Sequence, residues 1–305
     1  MNAAPAPQSS RLAILIPFAI VTLIWGSTWI VIRGQLGSVP PSWSVSYRFL
    51  VAGVAMLGYA LARGERPWFD ARGWGFAALL ALLQFCLNFN FVYRAEAHIT
   101  SGVVAVVFAL LLVPNALFGR LLLGQQLGRG LLIGSGVAMA GVALLFVHEA
   151  RAHPRGGAEV AMGVALTLAG VLAASLANIM QATQTARRYP LAAMLGVAML
   201  MGAAIDAALA FALTGAPAFE WRASYVLGIL YLGIVASAVA FSLYFTILRV
   251  IGPAKAAYSS VIVPVIAMLL STLFEGYRWS WLAAGGALLA LAGLVIALSA
   301  RRPNR

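Results

Sequence analysis

The stretch Leu12–Ile32, LAILIPFAIVTLIWGSTWIVI, contains no charged side chain and decides the class of the fold. A helix needs about 20 mainly apolar residues to cross the hydrocarbon core of a bilayer, and this run has that length. The apolar core of a signal peptide is shorter, about 7–15 residues. We therefore expect a first membrane-spanning helix rather than a cleaved leader.

Nine further runs of the same kind follow. The predicted spans are 12–32, 42–62, 73–93, 99–119, 129–147, 160–182, 191–213, 223–247, 255–274 and 281–299. Composition agrees, because 63% of the 305 residues are hydrophobic and only 9% are charged, whereas soluble domains carry about a quarter charged residues. The sequence predicts an all-α membrane protein with ten transmembrane helices.

The segments outside the spans are short, and the longest predicted loop is 148–159. Residues 1–11 are expected to form a disordered N-terminal tail, and residues 300–305 a basic C-terminal tail. Thirteen Arg and Lys residues fall on the side that carries both chain ends and six on the other. The excess of basic residues marks the cytoplasmic side. We expect both termini in the cytoplasm and a multi-pass protein of a bacterial-type inner membrane.

Several function classes are excluded at this stage. The net charge of +12 comes from basic residues dispersed between apolar runs, which is typical of loops that face anionic lipid rather than nucleic acid. The lone Cys86 allows no intramolecular disulfide and no thiolate metal site. No phosphate-binding Gly-x4-Gly-Lys motif surrounds the lone Lys255. The histidines at 98, 148 and 153 lie near loops and no two acids pair within a span, so we expect no enzyme, metal or cofactor.

The ten spans divide into two halves of five, 12–147 and 160–299. Because each half has an odd number of spans, the two halves lie in opposite orientations in the membrane. Similar features recur at a separation of 150 to 152 residues, in the order Pro114 and Pro264, Gln125 and Glu275, Gly141 and Gly293. Chance similarity between apolar segments of low complexity is the alternative explanation. An inverted repeat in a membrane protein indicates alternating access about a central site near the midplane.

Three motifs carry a family resemblance: Trp25-Gly26-Ser27-Thr28-Trp29, Pro40-Pro41 and Tyr47-Arg48-Phe49-Leu50. With the two proline elements and the glycine-rich closing spans, the chain resembles the EamA-type drug/metabolite transporter superfamily over nearly its whole length. The resemblance implies ten spans in two inverted halves and export of amino acids or related metabolites, and it points to the neutral and aromatic amino-acid exporters. Gln125 departs from the loop Glu that the resemblance implies, whereas Glu275 retains it.

Polar side chains inside a span cost free energy unless they are paired or hydrated, so they are candidates for substrate binding. Gln84 and Asn88 are four residues apart and share a helix face, and Ser175, Asn178 and Gln181 form a stripe on the sixth span. These amide and hydroxyl groups are suited to bind a zwitterion in a central cavity. Interhelical hydrogen bonds, worth only about 0.6 kcal/mol on average, are the alternative role.

Aromatic side chains offer a second binding surface. Phe241 and Tyr244 can share a helix face with Ser237, and Trp25 belongs to the first span. Their rings could stack on an aromatic substrate, but they would also attract a cation. Export of lipophilic cations is therefore the alternative function, and packing or lipid contact is the alternative role of each ring.

Two charged residues and two prolines are candidates for gating or coupling. Arg48 and Asp206 lie at similar depth in repeat-equivalent spans, so we predict an outer gate or a proton-sensitive pair; snorkelling of Arg48 and solvation of Asp206 in the cavity are the alternatives. Pro114 and Pro264 lie near mid-helix, where each removes a backbone hydrogen bond and produces either a hinge or a static bend.

Glycines are frequent in the fifth and tenth spans, at positions 130, 134, 141, 285, 286 and 293. Small residues let helix backbones approach closely in membranes, so we predict tight packing of these spans. The same surfaces could support a homodimer, and the sequence does not distinguish a monomer from a dimer.

Overall fold

In the computed structural model the chain folds entirely into helices, and the structure describes residues 8–124, 126, 128–152, 156–251 and 259–299. The main helices are α1 (Gln8–Arg33), α2 (Pro41–Ala62), α3 (Ala71–Ala95), α4 (Ser101–Leu123), α5 (Arg129–Ala152), α6 (Gly157–Gln181), α7 (Leu191–Thr214), α8 (Ala223–Leu248), α9 (Ser259–Phe274) and α10 (Trp281–Ser299). A short helix, Gln184–Arg187, lies between α6 and α7.

Among the described residues, the eight helices α1 to α8 are long and apolar enough to cross a membrane. The apolar stretches of α9 and α10 are shorter, Val261–Phe274 and Trp281–Ala297. The predicted all-helical membrane class is confirmed, because every predicted span overlaps one of these helices.

Helix ends differ from the predicted ends where a helix continues beyond its apolar run. α1 begins at Gln8, inside the segment 1–11 that was predicted to be a tail, and α5 continues to Ala152, inside the predicted loop 148–159. Hydropathy marks where the chain enters the bilayer, whereas a helix ends where its backbone hydrogen bonds end. Residues 1–7, Gln125, Lys255 and the tail 300–305 lie outside the described residues.

Local chemistry explains several helix starts. Extended Pro40 and Pro190 precede α2 and α7, and a fixed proline φ suits the entry to a helix. Asp70 precedes α3 and its carboxylate accepts a hydrogen bond from the Gly73 amide at 2.8 Å, which satisfies one of the free amides of the first turn. A hydrogen bond from the Tyr189 hydroxyl, together with the one from the Gly73 amide, holds the pKa of the Asp70 carboxyl below its usual range.

The predicted close packing of the fifth and tenth spans is confirmed. A methyl group placed on Gly134, Gly141, Gly286 or Gly293 would lie 2.2 to 2.8 Å from a backbone atom of the facing helix. Contacts this short leave room only for glycine, so α5 and α10 touch backbone to backbone. A methyl group placed on Gly136 or Gly285 would meet no atom within 4 Å. The contact is therefore formed by the glycines on one face of each helix.

Other repeat-equivalent helices also pack against each other across the two halves. A methyl group on Gly53 of α2 would lie 2.7 Å from Leu200 of α7, and one on Gly196 of α7 would lie 2.9 Å from the backbone nitrogen of Leu57. Gly102 of α4 meets Met268 of α9 in the same way, at 2.7 Å. Each half therefore completes its core with helices of the other half.

Two helices change from α to π geometry near their middle. The π segments are Ala81–Leu87 in α3 and Tyr231–Val239 in α8, and they begin 150 residues apart, the separation that relates Pro114 to Pro264. The main-chain N–H of Asn88 donates to the main-chain carbonyl of Leu83, five residues earlier, and this is the hydrogen bond that defines a π turn. Segments of this kind are rare and often lie at functional sites, and these two lie beside the central cavity.

Candidate functional site

A cavity lies at the centre of the bundle, between helices of both halves. The aromatic residues of its wall are Trp25, Trp29, Phe89, Phe108, Phe241 and Tyr244. The polar ones are Thr28, Arg48, Gln84, Asn88, Asn115, Asn178 and Ser259. The described lining therefore combines a large aromatic surface with a few polar groups, one of them cationic.

The aromatic wall is built by contacts between the halves. The Trp25 ring of α1 lies 4.8 Å from the Tyr244 ring and 5.4 Å from the Phe241 ring of α8, measured between centroids. The indole nitrogen of Trp25 donates to the Ala236 carbonyl at 3.3 Å, within the π segment of α8. Both the apolar face and the polar edge of Trp25 are thus fixed, which gives a substrate ring a preformed surface.

Arg48 reaches the cavity from α2 with its side chain almost fully buried, at 1% exposure. Its Nε donates to the Ser237 hydroxyl at 3.0 Å. The guanidinium carbon lies 4.2 Å from the centre of the Phe89 ring, a cation–π contact. Ser237 therefore holds Arg48 in place and does not itself line the cavity.

Five buried polar atoms of the lining have no hydrogen-bond partner among the described residues. They are the indole nitrogen of Trp29, Nη1 of Arg48 and the side-chain amide oxygens of Gln84, Asn88 and Asn115. Most buried polar groups in folded proteins are hydrogen-bonded, so each exception calls for an explanation. All five belong to residues that line the same cavity.

Asp206 lies in a separate group of polar residues, the Asp206 cluster, formed by Ser42, Asn90, Arg94 and Asp206. The Asn90 amide donates to Asp206 Oδ1 at 2.7 Å, and the Asn90 Oδ1 accepts from Ser42 at 2.6 Å and from Arg94 at 2.8 Å. Arg94 also donates to Ser42 at 2.9 Å. Asn90 thus links the charges of Asp206 and Arg94 without direct contact between them.

The predicted pairing of Arg48 with Asp206 is not formed. Arg48 faces the cavity and Ser237, Asp206 is bonded to Asn90, and no ion pair joins the two among the described residues. Solvation of Asp206 in the cavity is not observed either, because Asp206 is fully buried and does not line the cavity. Equal depth in two spans does not fix which way each side chain is rotated about its helix axis.

A second polar group, the Glu96 cluster, joins the halves at the loops after α1, α3 and α9. It consists of Arg33, Glu96, Ser101 and Glu275. Ser101 donates its amide and its hydroxyl to the Glu275 carboxylate, at 3.3 and 2.5 Å, and Arg33 Nε lies 3.6 Å from the same carboxylate. Arg33 also donates to the main-chain carbonyl of Glu96. Glu275, which the sequence distinguishes as a loop acid, therefore joins the end of α1 and the start of α4 to the loop after α9.

The structure brings most of the predicted binding residues, and two of the four predicted gating residues, to one cavity. Those that line it are Trp25, Arg48, Gln84, Asn88, Asn178, Phe241, Tyr244 and Pro264. Those outside the lining are Pro114, Ser175, Gln181, Asp206 and Ser237. Ser175 is fully buried and its hydroxyl has no partner among the described residues.

Sequence reasoning missed several lining residues. Thr28 and Trp29 belong to the motif that carries the family resemblance, and Asn115 follows Pro114 directly, so each had a neighbouring signal that could have identified it. Phe89 and Phe108 had no such signal, because one phenylalanine among many apolar residues resembles any other lipid-facing or core position.

Comparison with known proteins agrees with this architecture. The EamA-like transporter family matches residues 12–147 and again 161–299. The "Uncharacterized inner membrane transporter YedA" of Escherichia coli K12 is 29% identical, with 86% of this chain and 84% of the relative covered. A "Probable amino-acid metabolite efflux pump" of Salmonella typhimurium is 26% identical, with 94% and 95% covered.

A solved crystal structure shares the fold, with a TM-score of 0.68 and 22% sequence identity over 96% of this chain and all of the other. Two copies of one family domain in a single chain agree with the repeated prolines, the repeated π segments and the paired helices. The chain therefore belongs to the EamA-like transporter family and is a multi-pass transporter of the inner membrane.

Proposed function

We propose that the protein is a secondary transporter and not an enzyme, and that it exports small metabolites, chiefly neutral or aromatic amino acids, by alternating access at the central cavity. The observation that carries this proposal is a single cavity, built by helices of both halves, that combines an aromatic wall with amide groups. The name of the Salmonella relative, an amino-acid metabolite efflux pump, supports the substrate class.

The proposal assigns roles to the candidate residues. Trp25, Phe241 and Tyr244 stack on the substrate, and the amides at 84, 88 and 178 bind its polar groups. Ser237 positions Arg48, whereas Ser175 and Gln181 support α6 from outside the lining. Pro114 and Pro264 permit the bending of α4 and α9 that alternating access requires.

We also propose that all ten helices span the bilayer, as two inverted halves with both termini in the cytoplasm. The basic-residue asymmetry and the packing of repeat-equivalent helices support this topology. Single cysteines at exposed Ala216 and Arg66, in a Cys86→Ala background, test it with a membrane-impermeant maleimide. Labelling of Ala216→Cys in cells with a permeabilised outer membrane, and of Arg66→Cys only after lysis, is expected; the reverse pattern would invert the topology.

Transport is tested with purified protein in liposomes and a panel of labelled amino acids, with and without a proton gradient. Saturable uptake of neutral or aromatic amino acids is expected, because a cavity of fixed size is occupied by one substrate at a time. Uptake that rises linearly with concentration would indicate a channel, and absence of uptake for every amino acid would overturn the substrate class.

Coupling to protons is a further part of the proposal and is assigned to Asp206. Asp206→Asn keeps the side-chain volume and the contact with Asn90 but removes the titratable group. We expect the variant to transport with a weaker dependence on the proton gradient. Transport and pH dependence equal to those of the wild type would remove Asp206 from coupling and leave facilitated diffusion as the mechanism.

Export of lipophilic cations remains the competing function, because the aromatic wall could hold a cation through cation–π contacts. The lining argues against it, since Arg48 supplies a positive charge and no Asp or Glu is present among the described lining residues. Uptake of quaternary ammonium compounds in the same liposomes, without uptake of amino acids, would favour this function.

A further inference from the structure

We propose that the cavity recognises an α-amino acid by its two charged ends, with Arg48 binding the carboxylate and the amide oxygens of Gln84, Asn88 and Asn115 binding the ammonium group. This inference rests on the proposed function, since it requires that the central cavity is the transport site. It adds Arg48 and Asn115 to the binding residues and makes the carboxylate the feature that the protein selects.

Arg48 places a positive charge in the wall of the cavity. A buried guanidinium without a carboxylate partner is costly, because its desolvation is not compensated by an opposite charge. Among the described residues, no carboxylate oxygen lies within 4.0 Å of Arg48, and Nη1 has no hydrogen-bond partner. Ser237 and the Phe89 ring orient the side chain without neutralising it, and Glu96, which interacts with Arg48 electrostatically, lies beyond 4.0 Å and forms no ion pair with it. An anionic group of the substrate would supply the missing charge.

A carboxylate suits this position for a geometric reason. The guanidinium of arginine has donors in a planar fork that match the two oxygens of a carboxylate. Nε is occupied by Ser237 and Tyr93 also interacts with the guanidinium, whereas Nη1 has no partner among the described residues, so Nη1 is the part of the fork that is available to a ligand. The Phe89 ring covers one face of the guanidinium, with its centre 4.2 Å from the guanidinium carbon, so a ligand would bind at the edge of the guanidinium.

The same cavity also contains three amide oxygens that can accept hydrogen bonds from a ligand. Gln84 and Asn88 are 4% and 2% exposed, and their amide oxygens, like that of Asn115, have no donor among the described residues. Three carbonyl-type oxygens without donors match an ammonium group, which has three N–H donors and no acceptor. The Asn88 nitrogen donates weakly, at 3.5 Å, to the Gln84 main-chain carbonyl, which directs its oxygen away from that contact.

The unpartnered atoms of the lining therefore consist of two donors, the indole nitrogen of Trp29 and the cationic Arg48, and three neutral acceptors, and most of the remaining wall is apolar. A zwitterion with an apolar side chain satisfies the cationic donor, the acceptors and the apolar wall together. A simple cation would satisfy the acceptors but would meet Arg48 with like charge. A carboxylic acid without an amine would satisfy Arg48 and leave the three oxygens unpaired, which costs binding energy.

The test compares four probes with purified protein in liposomes, by counterflow: phenylalanine, phenethylamine, 3-phenylpropionate and tetraphenylphosphonium. The first three share one aromatic ring and differ only in their charged groups. We expect phenylalanine to be transported and phenethylamine to be transported about 10- to 100-fold less efficiently, the range that a charge-assisted hydrogen bond represents. This comparison needs no variant, so it does not depend on folding of a mutant.

Variants then assign the preference to Arg48. Arg48→Gln should reduce phenylalanine transport to the level of phenethylamine and leave phenethylamine unchanged or better, whereas Arg48→Lys should retain part of the preference. Arg63→Gln is the matched control, because Arg63 follows the same helix but is exposed outside the cavity. Asn115→Ala should lower phenylalanine transport and leave 3-phenylpropionate unaffected.

The outcomes separate this inference from the proposed function. Phenylalanine transport that does not discriminate against phenethylamine, and that survives in Arg48→Gln, would overturn the inference and leave the proposed function intact. Transport of tetraphenylphosphonium alone would overturn both, because the cavity would then be a cation site. Selective loss of phenylalanine transport in Arg48→Gln, with thermal unfolding at the wild-type temperature, would establish the role of Arg48.

Discussion

Glu96 is a fully buried carboxyl group whose two oxygens have no hydrogen-bond partner among the described residues. Burial raises its pKa well above the usual range, and the Glu275 carboxylate raises it further, against the lowering effect of Arg33 and Arg48. A raised pKa in the folded state means that folding favours the protonated form. This contribution to stability is complete below the unfolded-state pKa and is lost as the pH rises through the folded-state pKa.

Glu96→Gln mimics the protonated form of Glu96. We therefore predict that this variant is as stable as the wild type near pH 4, which is close to the ordinary pKa of glutamate, and more stable than the wild type near pH 9, which is well above it. Thermal unfolding of the detergent-solubilised protein across this range measures the difference. Glu220→Gln, at the surface beside Arg222, is the control and should show no such gain. A variant of Glu96 that is equally destabilised at every pH would contradict the prediction.

Single residues also show what sequence could and could not reveal about the site. Gln84, Asn88 and Asn178 drew notice in the sequence because an amide inside a span costs free energy unless it is paired or hydrated, and the structure places all three in the lining of the cavity. Arg48 was recognised as important but given the wrong partner, since depth along a helix does not fix rotation about its axis. Asn115 was not predicted, because the segment around Pro114 was interpreted only as a bend in the helix and its polar side chain was not considered.

At the scale of helices, the glycines of α5 and α10 allow a direct prediction. Gly141→Ala and Gly293→Ala place a methyl group within 2.3 Å of a backbone atom of the facing helix, so the helices must separate. We expect a loss of about 1–3 kcal/mol in the free energy of unfolding, the usual cost of overpacking. Gly136→Ala and Gly285→Ala meet open space and serve as controls.

We expect the free energies of unfolding of Gly136→Ala and Gly285→Ala to equal that of the wild type or to exceed it by up to about 1 kcal/mol, because alanine favours a helix more than glycine does. Thermal unfolding measured in detergent separates the two pairs of variants. Equal shifts for facing and non-facing glycines would show that α5 and α10 do not rely on backbone contact.

A second prediction concerns bending of α9. Pro264 lies inside the helix and lines the cavity, and Pro264→Ala restores the missing backbone hydrogen bond. If the bend moves during transport, the variant should keep or raise its unfolding temperature while its transport rate falls about tenfold or more, an effect that corresponds to roughly 1.4 kcal/mol on the barrier.

Pro17→Ala in α1 is the matched control, because Pro17 is also inside a helix but does not line the cavity. Transport by Pro264→Ala at the wild-type rate would identify the bend as static. Both prolines of the repeat were visible in the sequence, whereas the π segments of α3 and α8 were not. An apolar run has the same composition in α and π geometry, and only the tertiary contacts decide between them.

For the molecule as a whole, the Glu96 cluster predicts which contacts must open during transport. Ser101 of the first half and Glu275 of the second are joined by two hydrogen bonds. Ser101→Cys with Glu275→Cys, in a Cys86→Ala background, should therefore be joined by a short bis-methanethiosulfonate, which forms a reducible disulfide with each cysteine and releases methanesulfinate. We expect the cross-linked protein to bind substrate but not to transport it, and reductant to restore transport.

Each single cysteine variant treated with the same reagent is the control for modification alone. Full transport by the cross-linked protein would show that this end of the bundle stays closed throughout the cycle. The repeat itself was visible in sequence through proline and glycine spacing, because those residues have few substitutes. The pairing of α2 with α7 and of α5 with α10 required the structure, since spacing along the chain does not show which faces meet.

The contact between α5 and α10 also constrains how such proteins diverge. Gly134 meets Gly293 and Ala297, while Gly141 meets Gly286 and Ala290, so the contacts form a reciprocal set around a pseudo-twofold axis. A side chain gained at one of these glycines meets backbone atoms of the facing helix, so no smaller side chain on that helix can compensate for it. Relatives with the same contact should therefore keep glycine at all four positions, and a half-protein transplanted from a relative with a larger residue at one of them should fail first at this contact.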